Sequence, residues 1–196
     1  MNFLAHLYLS ETFDEEMVGN LMADFITGRI DDQLPPAIQR GIGLHREIDA
    51  FTDAHPVVRI AKHRLFATYR HYAAVIMDIF YDHFLAVRWS QYHPDPLEMF
   101  AAQVYELLHE KRTLLPAAMR PMTEAMQRRN WLVNYATLEG IGRALTGMTR
   151  RTSFVSGMEH ATTDLQRDYD FYEENFHQFF PELIAHVAEV KTGNRF

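Results

Sequence analysis

An all-α bundle of about eight helices in a single domain is the fold class that the sequence predicts, on three observations. Apolar residues recur at helical spacing through several long segments. No segment alternates apolar and polar residues for long enough to make a strand. Prolines and glycines separate the periodic runs without forming a repeat or a low-complexity linker. A chain of 196 residues can bury roughly 70% of the surface its unfolded form exposes, so it needs no staple merely to fold.

In chain order, residues 3–9 form an apolar segment too short for periodicity to separate helix from strand. Thr12 to Glu15 fits a capping box, and an apolar run from Met17 to Ile26 follows, with Asp24 inside it. Asp31 to Pro36 is a connector leading into a helix from about Ala37 to Thr52. On that helix His45 and Asp49 stand four residues apart on the core stripe with Ile38, Ile42 and Ile48. The next helix starts at Pro56, with Val57, Val58, Ala61, Leu65, Tyr69 and Tyr72 on its inward stripe. Beyond the His93-Pro-Asp-Pro96 turn, helices are expected from Leu97 to Leu115 and from Met122 to Ala136. Gly140, Gly142 and Gly147 lack the spacing of a nucleotide-binding loop and read as turn or close-packing positions. The last long helix is expected from about Ser153 to Phe180, broken at Pro181 and followed by a short helix and a polar tail.

The stretch from Ala74 to Arg88 organises the rest. It has no Gly or Pro and runs through four turns of large apolar residues, which predicts a helix buried on most of its circumference. Asp78 and Asp82 lie about 40° apart on one face, and His83 points toward Ile76, Ile79 and Val87. Unpaired carboxylates in such surroundings cost several kcal/mol and protonate, so a cation must meet this pair: a buried Arg, a His or a metal ion. Asp24 and the His45/Asp49 pair add like groups on two more core faces, and no Lys shares those faces. A mixed carboxylate and imidazole set suits Mn²⁺, Mg²⁺, Fe²⁺ or Zn²⁺, and the excess of oxygen leans toward Mn²⁺ or Mg²⁺. Glu106-x-x-His109 and Glu174-x-x-His177 match the di-iron bundle pattern, but both fall on outward faces and read as surface pairs.

Composition bounds the function. The chain has no cysteine, which excludes thiolate catalysis, disulfide scaffolding and Cys-ligated zinc. No apolar run is long enough to span a membrane, and Met1 to His6 lacks the basic start of a signal peptide, so a cytoplasmic location is expected. A net charge of −7 argues against general nucleic-acid binding. That charge is uneven. Residues 1–53 carry ten acids against three arginines, whereas residues 111–151 carry eight Lys or Arg, including Arg128 and Arg129, against Glu124 and Glu139. Arg59, Lys62, Arg64 and Arg70 form a second basic stretch. These are solvated helix faces or a docking surface for an acidic partner.

The segments Met1-Asn-Phe-Leu-Ala-His6-Leu, Gly19-Asn20-Leu-Met-Ala-Asp24-Phe25, Gly41-Ile-Gly-Leu-His45-Arg-Glu-Ile-Asp49, Thr52-Asp53 and Asp78-Ile-Phe-Tyr-Asp82-His83-Phe-Leu85, in that order, resemble the bacterial acyl carrier protein phosphodiesterases. Their fold is described as a distorted relative of the HD phosphohydrolases. Here the doublet reads Asp82-His83, the reverse of the usual His-Asp. The resemblance implies hydrolysis of the phosphodiester joining 4′-phosphopantetheine to a serine of holo acyl carrier protein, with Mn²⁺ as the metal. It also implies that Asp24, His45, Asp49, Asp78 and Asp82 hold the ion or ions. His6 and His83 are expected to be ligands or acid/base groups, and the basic stretches to be docking surfaces for the acidic carrier. Two other readings stand beside it: an HD-type nucleotide or small-molecule phosphohydrolase, and a non-catalytic helical module that binds an acidic protein.

Overall fold

Asp14 caps the helix that begins at Glu15. Its carboxylate accepts the backbone N–H of Glu16 at 2.8 Å and of Met17 at 3.3 Å, and Thr12 donates its hydroxyl to Asp14 instead of capping the helix itself. In the computed structural model, which describes residues 1–150, 152 and 154–193, this helix is α2 (Glu15–Met22). It is preceded by α1 (Phe3–Ser10), so the short apolar N-terminal segment is helical. The expected run to Ile26 ends early, in a 3₁₀ turn over Ala23–Phe25.

The following helices are α3 (Pro36–Ala54), α4 (Pro56–Tyr69) and α5 (Ala73–Val87); α3 and α5 fall within two residues of their sequence positions, α4 stops at Tyr69 with Tyr72 in a separate 3₁₀ turn, and Pro36 and Pro56 occupy first-turn positions where no N–H is needed. Then come α6 (Leu97–Glu110), α7 (Arg120–Arg128) and α8 (Trp131–Asn134). The single helix expected over 122–136 is two, because Asn130 adopts a left-handed conformation at φ 48°. The glycine-bearing segment is itself a helix, α9 (Leu138–Thr149). The C-terminal part comprises α10 (Ala161–Arg167) and α11 (Tyr169–Thr192). The expected start at Ser153 and the tail from Asn194 lie outside the described residues.

Pro181 does not break α11. Phe176, Phe179 and Phe180 before it and Leu183 and Val187 after it are all buried, so packing on both sides offsets the one lost backbone bond. The described residues thus hold eleven α-helices and no strand. The excess over eight comes from short segments that carry little periodicity of their own.

The core is one continuous cluster running from Leu4 to Val187. α5 lies at its centre, with Ile76, Met77, Ile79, Phe80, Tyr81, Phe84 and Leu85 fully shielded from solvent. It packs on α1, α4, α9 and α11, and Tyr81 stacks on Phe179 at 5.2 Å. Each such buried side chain contributes about 1.5–3 kcal/mol. The closest crossing is that of α2 and α3. A Cβ at Gly19 would lie 2.3 Å from the Ile38 carbonyl oxygen, and one at Gly41 would lie 2.0 Å from that of Glu16. Only glycine permits this approach, which brings Asn20 of α2 against His45 of α3.

Candidate metal centre

The site is built where α1 meets α5. The Asp82 carboxylate, fully buried on α5, accepts the backbone N–H of Leu4 at 2.8 Å and of Ala5 at 3.0 Å. It thereby satisfies two of the free donors at the start of α1 and faces the positive end of that helix. Burial raises its pKa to about 7 against the pull of those two N–H groups. One turn earlier on α5, Asp78 lies 3.2 Å from the α-amino group of Met1, which is also 3.2 Å from Asp49 of α3. The cation that answers the α5 carboxylates in this structure is therefore an ammonium, together with a helix N-terminus. Burial opposes the charge on that amine, but the Asp78 and Asp49 carboxylates outweigh it and lift its pKa to about 10.

α1 also carries His6, whose Nε2 lies 3.2 Å from Asp49 Oδ1. His45 Nε2 lies 3.1 Å from Asp49 Oδ2 and 3.3 Å from Asp24 Oδ1. The two imidazoles stack, with centroids 4.0 Å apart and planes 13° from parallel. Among the described residues, His6, His45 and Asp49 are the one set of three metal-type donors whose ligand atoms fall within 4.8 Å of one another.

Asn20 fixes how both rings present themselves. Its amide nitrogen donates to the His6 carbonyl at 2.9 Å and to the Ser10 hydroxyl at 3.0 Å, so its side-chain oxygen must accept, and it accepts His6 Nδ1–H at 2.9 Å. Its backbone carbonyl accepts His45 Nδ1–H at 2.9 Å. Both Nε2 atoms are consequently aimed at Asp49. This is the outer-shell arrangement that metal-binding histidines use.

Electrostatics divides the pair. Burial lowers the pKa of His6 to about 4, although Asp49 pulls the other way. For His45 burial is outweighed by Asp24 and Asp49, which raise it to about 9. Asp49 is itself held far below the usual carboxylate range by both imidazoles despite its burial, and Asp24 is lowered by its hydrogen bond with His45. Burial pushes the Asp78 carboxyl up.

These residues fit a divalent cation on one observation in particular. His6 Nε2 is buried, makes no hydrogen bond, and presents a lone pair to a carboxylate oxygen 3.2 Å away. Two acceptors so placed need a positive centre between them.

Of the residues marked by the sequence, His6, Asp24, His45 and Asp49 converge, and Asp78 adjoins them through the Met1 amine. The carboxylates are less buried than the helix pattern implies. The Asp24 side chain is 59% exposed because α2 ends before it, and those of Asp49 and Asp78 are 41% and 27% exposed, so the cluster opens to solvent on that side. Asp82 is committed to the α1 backbone. His83 is turned away from the cluster: Nδ1 donates to the Tyr135 carbonyl at 2.7 Å, Nε2 lies 3.1 Å from the Tyr169 hydroxyl, and burial lowers its pKa.

Sequence reasoning missed Asn20 and the Met1 amine. Asn20 had a signal in its place beside Gly19 within a segment matching the family pattern, but its partners are set by the α2–α3 crossing. Glu106, His109 and Glu174 are exposed and His177 half-buried, as the outward reading of both Glu-x-x-His pairs requires.

The basic stretch on α4 is partly neutralised by tertiary contacts. Lys62 pairs with Asp53 at 2.5 Å, and Arg64 pairs with Asp168 at 2.6 Å while lying over the Phe171 ring. Arg59, Arg70, Arg128 and Arg129 are exposed and have no ion-pair partner among the described residues. No described helix is long and apolar enough to cross a membrane.

Comparison with known proteins agrees with this geometry. The sequence model for acyl carrier protein phosphodiesterase matches residues 1–183. The chain is 35% identical over 185 residues to the acyl carrier protein phosphodiesterase of Photorhabdus laumondii, covering 94% of this chain and 93% of that protein. It is 34% identical over 189 residues to the protein of the same name in Escherichia coli (strain K12 / DH10B), covering 96% and 98%. No solved structure matches at a significant level. With the match running through every helix that supplies a residue to the His6–His45–Asp49 centre, the chain belongs to the acyl carrier protein phosphodiesterase family.

Proposed function

We propose that this protein hydrolyses the phosphodiester between 4′-phosphopantetheine and the serine of holo acyl carrier protein, releasing the apo carrier, with a divalent cation held by His6, His45 and Asp49. The observation that carries the reading is the convergence of two Nε2 atoms and a carboxylate within 4.8 Å, in a family named for this activity. Mn²⁺ is the preferred ion, with Mg²⁺ and Fe²⁺ as alternatives, because the neighbouring donors, Asp24 and Asp78, are oxygen. When bound, such an ion activates water as a nucleophile near neutral pH and offsets charge on the phosphoryl oxygens.

The chain's own groups prepare the site. Asn20 holds both imidazoles in the tautomer that leaves Nε2 unprotonated on His6. Asp49 bridges the two rings, and Asp24 orients His45 from the solvent side. Asp82 anchors the first turn of α1, which positions His6. His83 acts at a distance. It holds the Tyr135 carbonyl, and the Tyr135 hydroxyl accepts the Asn2 side chain beside Met1. The leaving serine oxygen takes its proton from solvent on the open side of Asp24 and Asp49.

An acidic carrier would meet the exposed Arg59 and Arg70 or Arg128 and Arg129, and association driven by them should weaken as salt is raised. Reaction in the cytoplasm, where the carrier is made, is part of the same proposal.

The test is incubation of the protein with holo acyl carrier protein and Mn²⁺, followed by mass spectrometry. Loss of the prosthetic-group mass is expected; an unchanged carrier mass counts against the proposal.

A further inference from the structure

Beside the metal centre lies a cavity of about 420 Å³, within the range of small-molecule pockets, roughly 300–1,000 Å³. Its near wall is made by residues next in the chain to those of the centre or bonded to them. Phe3 follows Met1 and Asn2 at the start of α1, Phe25 follows Asp24, and Tyr135 bonds Asn2 through its hydroxyl at 2.9 Å. The far walls come from α7, α8 and α9, and Trp131 stacks on Phe3 with centroids 6.5 Å apart.

The lining is mainly apolar, with polar side chains at few places: Arg129, Asn134, and Arg143, which is already paired with Glu139. Arg129 has no ion-pair partner among the described residues, and Asn134 donates to the Arg129 carbonyl. An apolar trough with a few separated donors suits an uncharged chain that alternates hydrocarbon with amide carbonyls. A plain hydrocarbon would leave the Arg129 guanidinium unmatched.

We infer that this cavity is the subsite for the pantetheine arm, receiving the chain whose phosphate stands at His6, His45 and Asp49. The inference rests on the function proposed above, and it places substrate discrimination on α7 to α9, away from the centre itself.

Gly147 offers a direct test. It lines the cavity, its φ is helical, and a Cβ built there meets nothing within 4 Å, so a large side chain can enter the cavity without disturbing the backbone. Ala144, one turn earlier on the same wall, is a second position. Trp131 supplies an optical probe.

Free pantetheine, without phosphate or carrier, should change the tryptophan fluorescence of the wild type in a saturable manner. The change should vanish in Trp131→Phe and weaken at least tenfold in Gly147→Phe and Ala144→Phe, with helical content by circular dichroism retained. With Mn²⁺ present, the ratio of kcat/KM for holo carrier to kcat/KM for bis(p-nitrophenyl) phosphate should fall at least tenfold in Gly147→Phe. A wild type that ignores pantetheine but responds to laurate would overturn the assignment, as would a Gly147→Phe variant with an unchanged ratio. Saturable pantetheine binding by a wild type that leaves the carrier intact would keep the subsite and remove the proposed reaction.

Discussion

His6 and His45, brought from two different helices, stack at 4.0 Å while both donate Nδ1–H to the oxygens of a single residue, Asn20. Nδ1 of each ring is thus fixed as a donor, and the two Nε2 atoms are aimed at Asp49, one at each carboxylate oxygen. What the arrangement should do under perturbation follows from these contacts.

Asn20→Ala should lower affinity for Mn²⁺ roughly 10–100-fold, because the His6 ring loses the side-chain oxygen that fixes its tautomer and orientation, while His45 keeps the backbone carbonyl of residue 20. Titration calorimetry of the purified variant checks this, and affinity within twofold of wild type would remove Asn20 from its positioning role. Stability should fall as well, by about 1–3 kcal/mol, since the Asn20 side chain is fully buried and satisfies the His6 ring, the His6 carbonyl and the Ser10 hydroxyl on α1.

His45→Ala should remove Mn²⁺ retention after dialysis and abolish carrier hydrolysis while leaving the helical spectrum intact. The His45 side chain is only 8% exposed, but its Nε2 faces the more exposed Asp24 and Asp49 carboxylates, so water can reach the space that the imidazole leaves. A variant that keeps both metal and activity would exclude His45 from the site.

Asp82→Asn distinguishes an anchor from a ligand. An amide can accept only one of the two N–H bonds now made to Leu4 and Ala5, so the urea midpoint should correspond to a loss of about 1–3 kcal/mol. Metal stoichiometry should be unchanged. The opposite pattern, intact stability with lost metal, would make Asp82 a ligand.

Gly41→Ala should destabilise by about 3 kcal/mol or prevent folding, because the added methyl collides with the backbone of Glu16. Thermal melting measures the effect. A melting temperature equal to that of wild type would show that α2 and α3 are not packed as closely as the structure has them.

Titration of His83 should weaken the fold in acid, against His45 and Asp82, whose raised pKa values act the other way. Burial draws the His83 pKa below its ordinary value of 6.5, so the unfolded chain binds this proton more readily than the folded one. Its contribution is complete above pH 6.5 and lost as pH falls from there toward the folded-state value; His6, drawn down to about 4, acts in the same direction. The groups facing His83 are the Tyr135 carbonyl, the Tyr169 hydroxyl and the more distant Glu173 carboxylate. Urea unfolding at pH 5 and pH 8 should show a smaller pH-dependent loss in His83→Gln than in the wild type. Equal losses in the two proteins would contradict the burial of a neutral imidazole.

By itself the sequence determined the helical class, the positions of α3 and α5 to within two residues, and the ligand-type residues on α1, α3 and α5 together with Asp24. All of these depend on local periodicity or on residue type, which a linear reading preserves. The tertiary structure decided which groups meet. The Asp78 and Asp82 carboxylates share a helical face, yet they meet different parts of the α1 N-terminus, one the Met1 amine and the other two backbone N–H groups. His83 sits beside Asp82 in the chain, but the 100° rotation of one helical residue turns it to Tyr135 and Tyr169. Asn20 becomes the pivot of the centre only because Gly19 and Gly41 let two backbones approach to a distance that no side chain permits. Helix periodicity says which way a group points from its own axis. The crossing of helices far apart in sequence sets what it finds there.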